Sequence, residues 1–259
     1  MIDEIYCINI RKRPDRLISF DKDNSAEIMS KLGIDINYTT DWYMNMDGEN
    51  ITPKWLEEHD ISKYDNWALK EEQWYEGNAR WGWWERDMTN GEIGCAISHS
   101  EIWKRAKGTT LILEDDVKLS RNWYAKLYNT LDTLEVIDRE WDMIYLGRVP
   151  QSDMEINNNT LITSNIKTPL YSFCTYAYML SSKGLEKINK YEYRKNIIPA
   201  DEFLSATYAE HPRPDIKLLY PPTLKAYAMW PTVAGQNVKL GSDTGDTIKN
   251  EKIHTQRHE

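Results

Sequence analysis

Leu111-Ile112-Leu113-Glu114-Asp115-Asp116-Val117 runs three apolar residues straight into three consecutive acids. A short apolar run of this kind predicts a buried strand. Acids placed where such a strand ends sit at the carboxyl edge of a sheet, where open α/β folds bind ligands. Clustered carboxylates repel one another unless a cation stands between them. Hard oxygen ligands suit Mg2+ or Mn2+, which in turn suit phosphates. The plain alternative is a solvated acidic turn, against which the apolar lead-in argues.

On either side, strand and helix patterns alternate. Glu4 to Ile10 reads as a first buried strand, and Pro14 opens a helix from Asp15 to about Leu32, stopped by Gly33. Ile36 to Thr39 reads as a second strand, and this β-α-β opening favours a parallel sheet. Thr89-Asn90-Gly91-Glu92 has the form of a capping box. Ile93, Ala96, Ile97 and Trp103 then share one helical face. Asn122 to Val136 predicts another helix, with Trp123, Leu127, Leu131 and Leu134 at helical spacing. Asp142 to Gly147 reads as a strand ending in a turn glycine, and residues 151–169 as a polar loop or hairpin. Tyr176 to Leu180 is a further strand, Ser181 or Ser182 caps a helix to about Tyr191, and Pro199 begins a helix carrying Asp201, Glu202, Phe203 and Leu204. The remainder reads as strands and an extended tail.

Residues 41–88 break this pattern. They are polar and turn-rich, yet hold Trp42, Trp55, Trp67, Trp74, Trp81, Trp83 and Trp84, seven of the 11 tryptophans. Irregular insertions of this length are functional or disordered more often than neutral. The tryptophans argue against disorder, so an ordered, partly helical flap beside the site is expected. The alternative is that the rings simply pack the flap onto the body.

The chain of 259 residues is 41% hydrophobic, enough for a sizeable core. The net charge of −9 and the lack of any basic run longer than Arg11-Lys12-Arg13 disfavour a nucleic-acid partner. Cys7, Cys95 and Cys174 lie far apart without zinc-ligand spacing, so reduced thiols in a cytosolic protein are expected. The first residues show no basic-then-apolar leader, and no apolar run reaches transmembrane length. A cytoplasmic protein follows as the default. With 11 Trp and 16 Tyr against 3 Phe, the aromatic set favours wet binding surfaces. No G-x-G-x-x-G, Walker or H-E-x-x-H pattern occurs, which removes the dinucleotide, P-loop and zincin readings. Arg11, Arg13 and Arg16 follow the first strand, on the same sheet edge as the acids if the strands are parallel. Guanidinium groups there could grip a diphosphate or a base; a solvated basic turn is the alternative.

Five blocks in order resemble glycosyltransferase family 25, whose members include bacterial lipooligosaccharide galactosyltransferases and collagen hydroxylysine galactosyltransferases. They are Ile8 to Arg16, Gly91 to His99 with Ile102-Trp103, Leu113 to Asp116, Trp141 to Gly147, and Ala177 to Ser181 with Gly184 followed by Pro199 to Leu204. The resemblance implies an α/β fold of the GT-A type, with a mostly parallel central sheet flanked by helices. It would span residues 1–245 as one domain, with the Trp-rich insertion at about 41–88 and a tail at 246–259. It further implies a UDP-hexose donor (UDP-galactose or UDP-glucose), dependence on Mn2+ or Mg2+, and inversion at the anomeric carbon.

On this reading Asp116 holds the metal, with Glu114 or Asp115 contributing directly or through water. Arg13 or Arg16, with Arg11, supplies charge on the donor side, and Ser98 and His99 lie there too, His99 orienting a phosphate or ribose. An inverting transfer needs a general base for the acceptor hydroxyl. Asp201 is the favoured candidate and Glu202 the second, the alternative being ordinary helix-start acids. Asp243 and His254 in the tail could close over the donor or complete the metal shell. The fifth block and His211-Pro212 resemble the collagen-modifying branch most, which points to hydroxylysine of a collagen-like protein as acceptor. The unusual 41–88 segment leaves other acceptors open, a lipopolysaccharide or other glycan first. A catalytically silent sugar-nucleotide-binding module and, more weakly, a nucleobase-modifying glucosyltransferase are the readings from other classes.

Overall fold

The computed structural model describes residues 2–41, 47–69 and 82–241. In chain order, β1 (Glu4–Ile8) leads into α1 (Pro14–Phe20), a π turn over Asp21–Ser25, α2 (Ala26–Leu32) and β2 (Ile36–Tyr38). The insertion contributes α3 (Pro53–Glu58). There follow α4 (Asn90–Arg105), β3 (Thr110–Glu114), β4 (Val117–Leu119), α5 (Trp123–Ile137), β5 (Met143–Pro150) and α6 (Asp153–Ile156). The chain continues through β6 (Leu161–Thr163), β7 (Ile166–Lys167), β8 (Ser172–Leu180), α7 (Ser182–Asn189), α8 (Ala200–Tyr208), α9 (Pro214–Leu219), β9 (Ala226–Met229) and β10 (Ala234–Gln236).

Local chemistry sets several of these boundaries. The capping box closes at both ends, Glu92 N–H donating to Thr89 Oγ1 at 3.1 Å and Thr89 N–H to the Glu92 carboxylate at 2.7 Å. Ser181, not Ser182, caps α7 by accepting from Gly184 N–H at 3.0 Å. Gly33 stops α2 at a left-handed φ of 69°. The single helix expected from Asp15 to Leu32 is instead interrupted by the π turn. That wider turn sends Asn24 to β4, where its Nδ2 donates to Val117 O at 3.0 Å.

Among the described residues, one sheet of eight strands runs in the order β2-β1-β3-β8-β5-β9-β7-β6. β1 pairs in parallel with β2 and β3, and β5 with β9; β8 is antiparallel to both β3 and β5, and β7 to both β9 and β6. Six strands therefore share one direction, and β8 and β7 oppose it. β4 and β10 form a separate antiparallel pair. Alternate strand residues enter opposite cores. Ile5, Cys7, Leu111, Leu113, Ile144 and Met179 face Phe20, Ile28, Trp123, Leu127 and Leu134 of α1, α2 and α5. Tyr6, Ile8, Ile112, Tyr145 and Tyr178 face α4, α7, α8 and α9 through Ile97, Leu185, Phe203 and Ile216. A strand covered on both faces reads as an unbroken apolar run, which is why Leu111 to Leu113 is so legible. Each such buried side chain contributes about 1.5–3 kcal/mol. No helix among the described residues is long and apolar enough to cross a membrane.

In the insertion, Trp67 and Trp84 are buried and join the helical-side core, while Trp55 stacks on His59 with ring centroids 4.0 Å apart. Tyr64 N–H donates to Ile197 O at 3.0 Å and Ile197 N–H to Ser62 O at 2.8 Å, stitching this segment to the stretch before α8. Trp42, Trp74 and Trp81 lie outside the described residues, as do Asp243 and His254 of the tail.

Gly147 does not end its strand in a turn, as its position suggested; it lies inside β5 beside an irregularity in the β5–β8 register. A Cβ there would meet Ala234 O at 2.3 Å and a Tyr176 ring carbon at 2.5 Å. Gly147→Ala should therefore cost about 1–3 kcal/mol through overpacking, read as a lower midpoint in urea unfolding with an unchanged slope. An unaltered midpoint would show that the β5–β10 approach is looser than described.

Candidate functional site

The parallel register of β1 and β3 sets Ile8 opposite Glu114, so the turn after β1 and the acids after β3 share one sheet edge. Asp115 is enclosed there: its Oδ2 accepts from Asn9 Nδ2 at 2.6 Å and its Oδ1 from Arg16 Nη1 at 2.9 Å. Asp116 takes Arg16 Nη2 at 3.2 Å and Gln236 Nε2 at 3.0 Å, both on Oδ2. Its Oδ1 is buried with no hydrogen-bond partner. Glu114 accepts Thr175 Oγ1 at 2.6 Å on Oε1, and His99 Nε2 lies 3.4 Å from the same oxygen. Burial pushes Asp115 up to about 6, against the pull of Arg16. Burial and the charge of Glu114 push Asp116 up to about 7. For Glu114 burial also acts upward, but the bonds from His99 and Thr175 outweigh it and hold the group below the ordinary range. The cluster is thus short of positive charge, and its orphaned oxygen lies on Asp116. A hard divalent cation fits that shortage and that oxygen set.

Of the three arginines, Arg16 enters the cluster. Arg13 spends its guanidinium on Asp15 and on Leu240 O at 2.5 Å, and the exposed Arg11 bonds Thr40 O at 3.0 Å. Arg16 also donates to Gly241 O, so the segment after β10 lies across this edge. Ser98, expected beside a donor, is buried and turns its hydroxyl back to Gly94 O of α4 at 2.9 Å; it serves its own helix. His99 is fully buried, with Nδ1 2.8 Å from Tyr178 OH. Among the described residues, the group of three potential metal ligands whose atoms lie within 4.8 Å of one another is Cys95, His99 and Glu114; the three consecutive acids do not converge in that way.

Asp201 stands in the first turn of α8. Its Oδ2 accepts from Cys174 N–H at 3.1 Å and its Oδ1 from Glu202 N–H at 2.9 Å. Cys174 has φ of 67°, a left-handed conformation that costs a non-glycine residue about 1–3 kcal/mol. Burial, then the charge of Glu202, pushes Asp201 up to about 7. Adjacent residues of β8 therefore hold two carboxylates: the Cys174 amide holds Asp201, and the Thr175 hydroxyl holds Glu114.

Glu202, the second candidate base, is placed differently. It is 1% exposed and accepts from Trp84 Nε1 at 3.0 Å, Tyr171 OH at 2.7 Å and His211 Nε2 at 2.7 Å. Three side-chain donors enclose this buried carboxylate, so it anchors the insertion to α8, whereas Asp201, held by two backbone amides, stays partly exposed. His211 Nδ1 accepts Arg213 N–H at 3.0 Å, which puts the ring proton on Nε2, facing Glu202. Arg213 completes the anchor, donating to Trp67 O at 2.6 Å and Asn66 O at 2.7 Å with its guanidinium 5.1 Å from the Trp67 ring centre. Cys174, Thr175 and Gln236 carried no sequence signal; Asn9 and Tyr178 stood inside resembling blocks, and His211 in the His211-Pro212 pair, with no role given to any of them.

The model of glycosyltransferase family 25 (LPS biosynthesis protein) matches residues 2–204. The chain belongs to glycosyltransferase family 25. This family 25 chain is similar to human procollagen galactosyltransferase 2, 27% identical over 234 residues, which cover 88% of this chain and 34% of that protein. It is 29% identical to Xenopus laevis procollagen galactosyltransferase 1-B over 82% of this chain and 32% of the relative. It is 32% identical to human inactive glycosyltransferase 25 family member 3 over 58% of this chain and 26% of the relative. The chain spans about a third of the length of the curated relatives it matches. Among solved structures, a glycosyltransferase involved in the glycosylation of the major capsid of PBCV-1 aligns over 93% of this chain and 97% of its own, at 10% identity and a TM-score of 0.42.

Asp115, Asp116 and Asp201 are all raised above their unfolded values near 3.9. Between those values and about 7 the folded state binds more protons than the unfolded one, so these groups make stability fall as pH rises. In calorimetry on metal-free protein, the melting temperature should drop between pH 5 and pH 7.5, taken as roughly the window of these carboxylates. Asp116→Asn should flatten that slope. A melting temperature that climbs through the same window would contradict the charge shortage.

Proposed function

We propose that this family 25 chain transfers a hexose, galactose or glucose, from a UDP-sugar to an acceptor hydroxyl, with inversion. The observation that carries the reading is the buried, partnerless Oδ1 of Asp116 in a carboxylate cluster short of positive charge. Asp116 and Glu114 would hold a divalent cation, Mn2+ or Mg2+. Bound there, it would act as a Lewis acid that neutralises the departing diphosphate. Arg16, already fixed between Asp115 and Asp116, adds a second positive charge at that edge and needs no reorganisation as charge develops.

Asp201 takes the acceptor proton. A value pushed up to about 7 suits a base that must both accept and release a proton near neutrality. The Cys174 and Glu202 amides fix its two oxygens, so the carboxylate need not be ordered during the reaction. Glu202 acts at one remove, by locking Trp84 of the insertion onto the helix that carries Asp201. The kinship with procollagen galactosyltransferases favours hydroxylysine of a collagen-like protein as acceptor, with a glycan as the other acceptor class. A silent module is the second reading, favoured by the likeness to an inactive family member.

UDP release assayed with UDP-galactose and UDP-glucose, with and without Mn2+, separates the two readings. The enzyme reading expects metal-dependent release, at least a hundredfold lower in Asp116→Asn. Asp201→Asn should keep UDP·Mn2+ binding, seen as a raised melting temperature, and lose transfer. Ligand at 100 times its Kd stabilises by about 2.7 kcal/mol, well within detection. Wild-type turnover by Asp116→Asn would refute the metal role, and loss of UDP binding in Asp201→Asn would move that residue to the donor side.

A further inference from the structure

Cys95 and His99 sit one turn apart on α4, facing Glu114 at the end of β3. Their sulfur, ring nitrogen and carboxylate oxygen lie within 4.8 Å of one another. Small side-chain shifts that close this spacing would bring all three to one ion at ordinary bond lengths of about 2.0–2.3 Å. A second layer of contacts already orients two of them. His99 Nδ1 meets Tyr178 OH at 2.8 Å, which leaves Nε2 on the Glu114 side. The Tyr178 oxygen takes the Trp103 indole N–H at 2.9 Å, and Thr175 Oγ1 donates to Glu114 Oε1 at 2.6 Å. The His99 ring is packed against Tyr178 and Trp103, with centroids 5.7 and 6.0 Å away, so its plane is fixed. Outer partners of this kind orient histidine and carboxylate ligands at metal sites. Cys95 and Glu114 are only partly buried, which leaves an approach for an ion.

A sulfur, a nitrogen and an oxygen select a borderline-soft ion over Mn2+ or Mg2+. We propose that Cys95, His99 and Glu114 form a binding site for a thiophilic divalent cation of the Zn2+ type, and that its occupation draws Glu114 away from the donor side and inhibits transfer. The inhibition rests on the role given to Glu114 under the proposed function; the binding does not. On binding, the Cys95 thiol gives its proton to solvent, and thiolate plus carboxylate balance the two charges of the ion. His99, whose Nε2–H faces Glu114 when no ion is bound, moves its proton to Nδ1 through solvent, donates it to Tyr178 and offers the freed Nε2 lone pair, so the ring stays neutral and the net proton released is that of Cys95. The phenol oxygen has two lone pairs, one for this N–H and one for that of Trp103.

Co2+ is the probe. Titrated into metal-free full-length protein, it should produce a thiolate-to-cobalt charge-transfer band in the near ultraviolet, saturating at one equivalent and erased by Zn2+. Cys95→Ser should lack the band while keeping its far-ultraviolet spectrum and melting temperature. Absence of the band in the wild type, or a band of equal strength in Cys95→Ser, overturns the site. Should Cys95→Ser fail to fold, alkylation of the wild type decides. Zn2+ should slow modification of Cys95 at least tenfold and leave Cys174 unchanged, and unaltered labelling of Cys95 overturns the site. In the Mn2+-dependent UDP assay, Zn2+ should suppress the wild type at least tenfold and spare Cys95→Ser. Equal suppression of both proteins overturns the inhibitory part. If neither protein turns over with Mn2+, the proposed function fails, and the cobalt spectrum still decides the site.

Discussion

Three carboxylates leave the chain on consecutive residues at the end of β3, and Arg16 is the guanidinium drawn between two of them. Two unit charges 4 Å apart interact by about 4 kcal/mol at an effective dielectric constant of 20. Crowding at that scale is tolerable only when protons, hydrogen-bond donors or a cation offset it. All three are present in part: Arg16 supplies one positive charge, Asn9, Gln236 and Thr175 donate, and Asp115 and Asp116 are held toward their protonated forms. The arrangement stays tense, and the unsatisfied Asp116 oxygen marks where the offset is incomplete.

The rest of the architecture serves to bring remote groups to that edge. Parallel pairing of β1 and β3 delivers Asn9 and Arg16 from the first turn of the chain. The reversed strand β8, inserted between β3 and β5, delivers Cys174 and Thr175. Its irregular pairing with β5 and the left-handed backbone of Cys174 turn one amide toward α8, so Asp201 faces the same region from another element. The glycine at 147 lets the backbone of β10 approach, and Gln236 with it. Glu202, His211 and Arg213 tie down the described part of the tryptophan-bearing insertion, so this segment is braced by polar contacts as well as by ring packing.

Much of this was readable before any coordinates. Strands covered on both faces gave unbroken apolar runs, and the Thr89–Glu92 box and Gly33 announced their helix ends. The acid run and the arginine turn were correctly expected on one edge, because parallel strands put their carboxyl ends together. What escaped was non-local or buried. Thr175 reaches Glu114 across 61 residues and Gln236 reaches Asp116 across 120, and a single sequence carries no trace of such pairs. Glu202 and Ser98 were grouped with Asp201 and His99 because adjacency in sequence hides that neighbouring residues on a helix face different ways. Cysteine spacing, read only between cysteines, passed over the Cys95–His99 pair one helical turn apart.

Crystals grown with UDP and Mn2+, measured at the manganese absorption edge, locate the cation directly when nucleotide is present. An anomalous peak bonded to Asp116 Oδ1 and shared with the diphosphate is the expected result. A peak bound elsewhere, with Asp116 still bare, would contradict it.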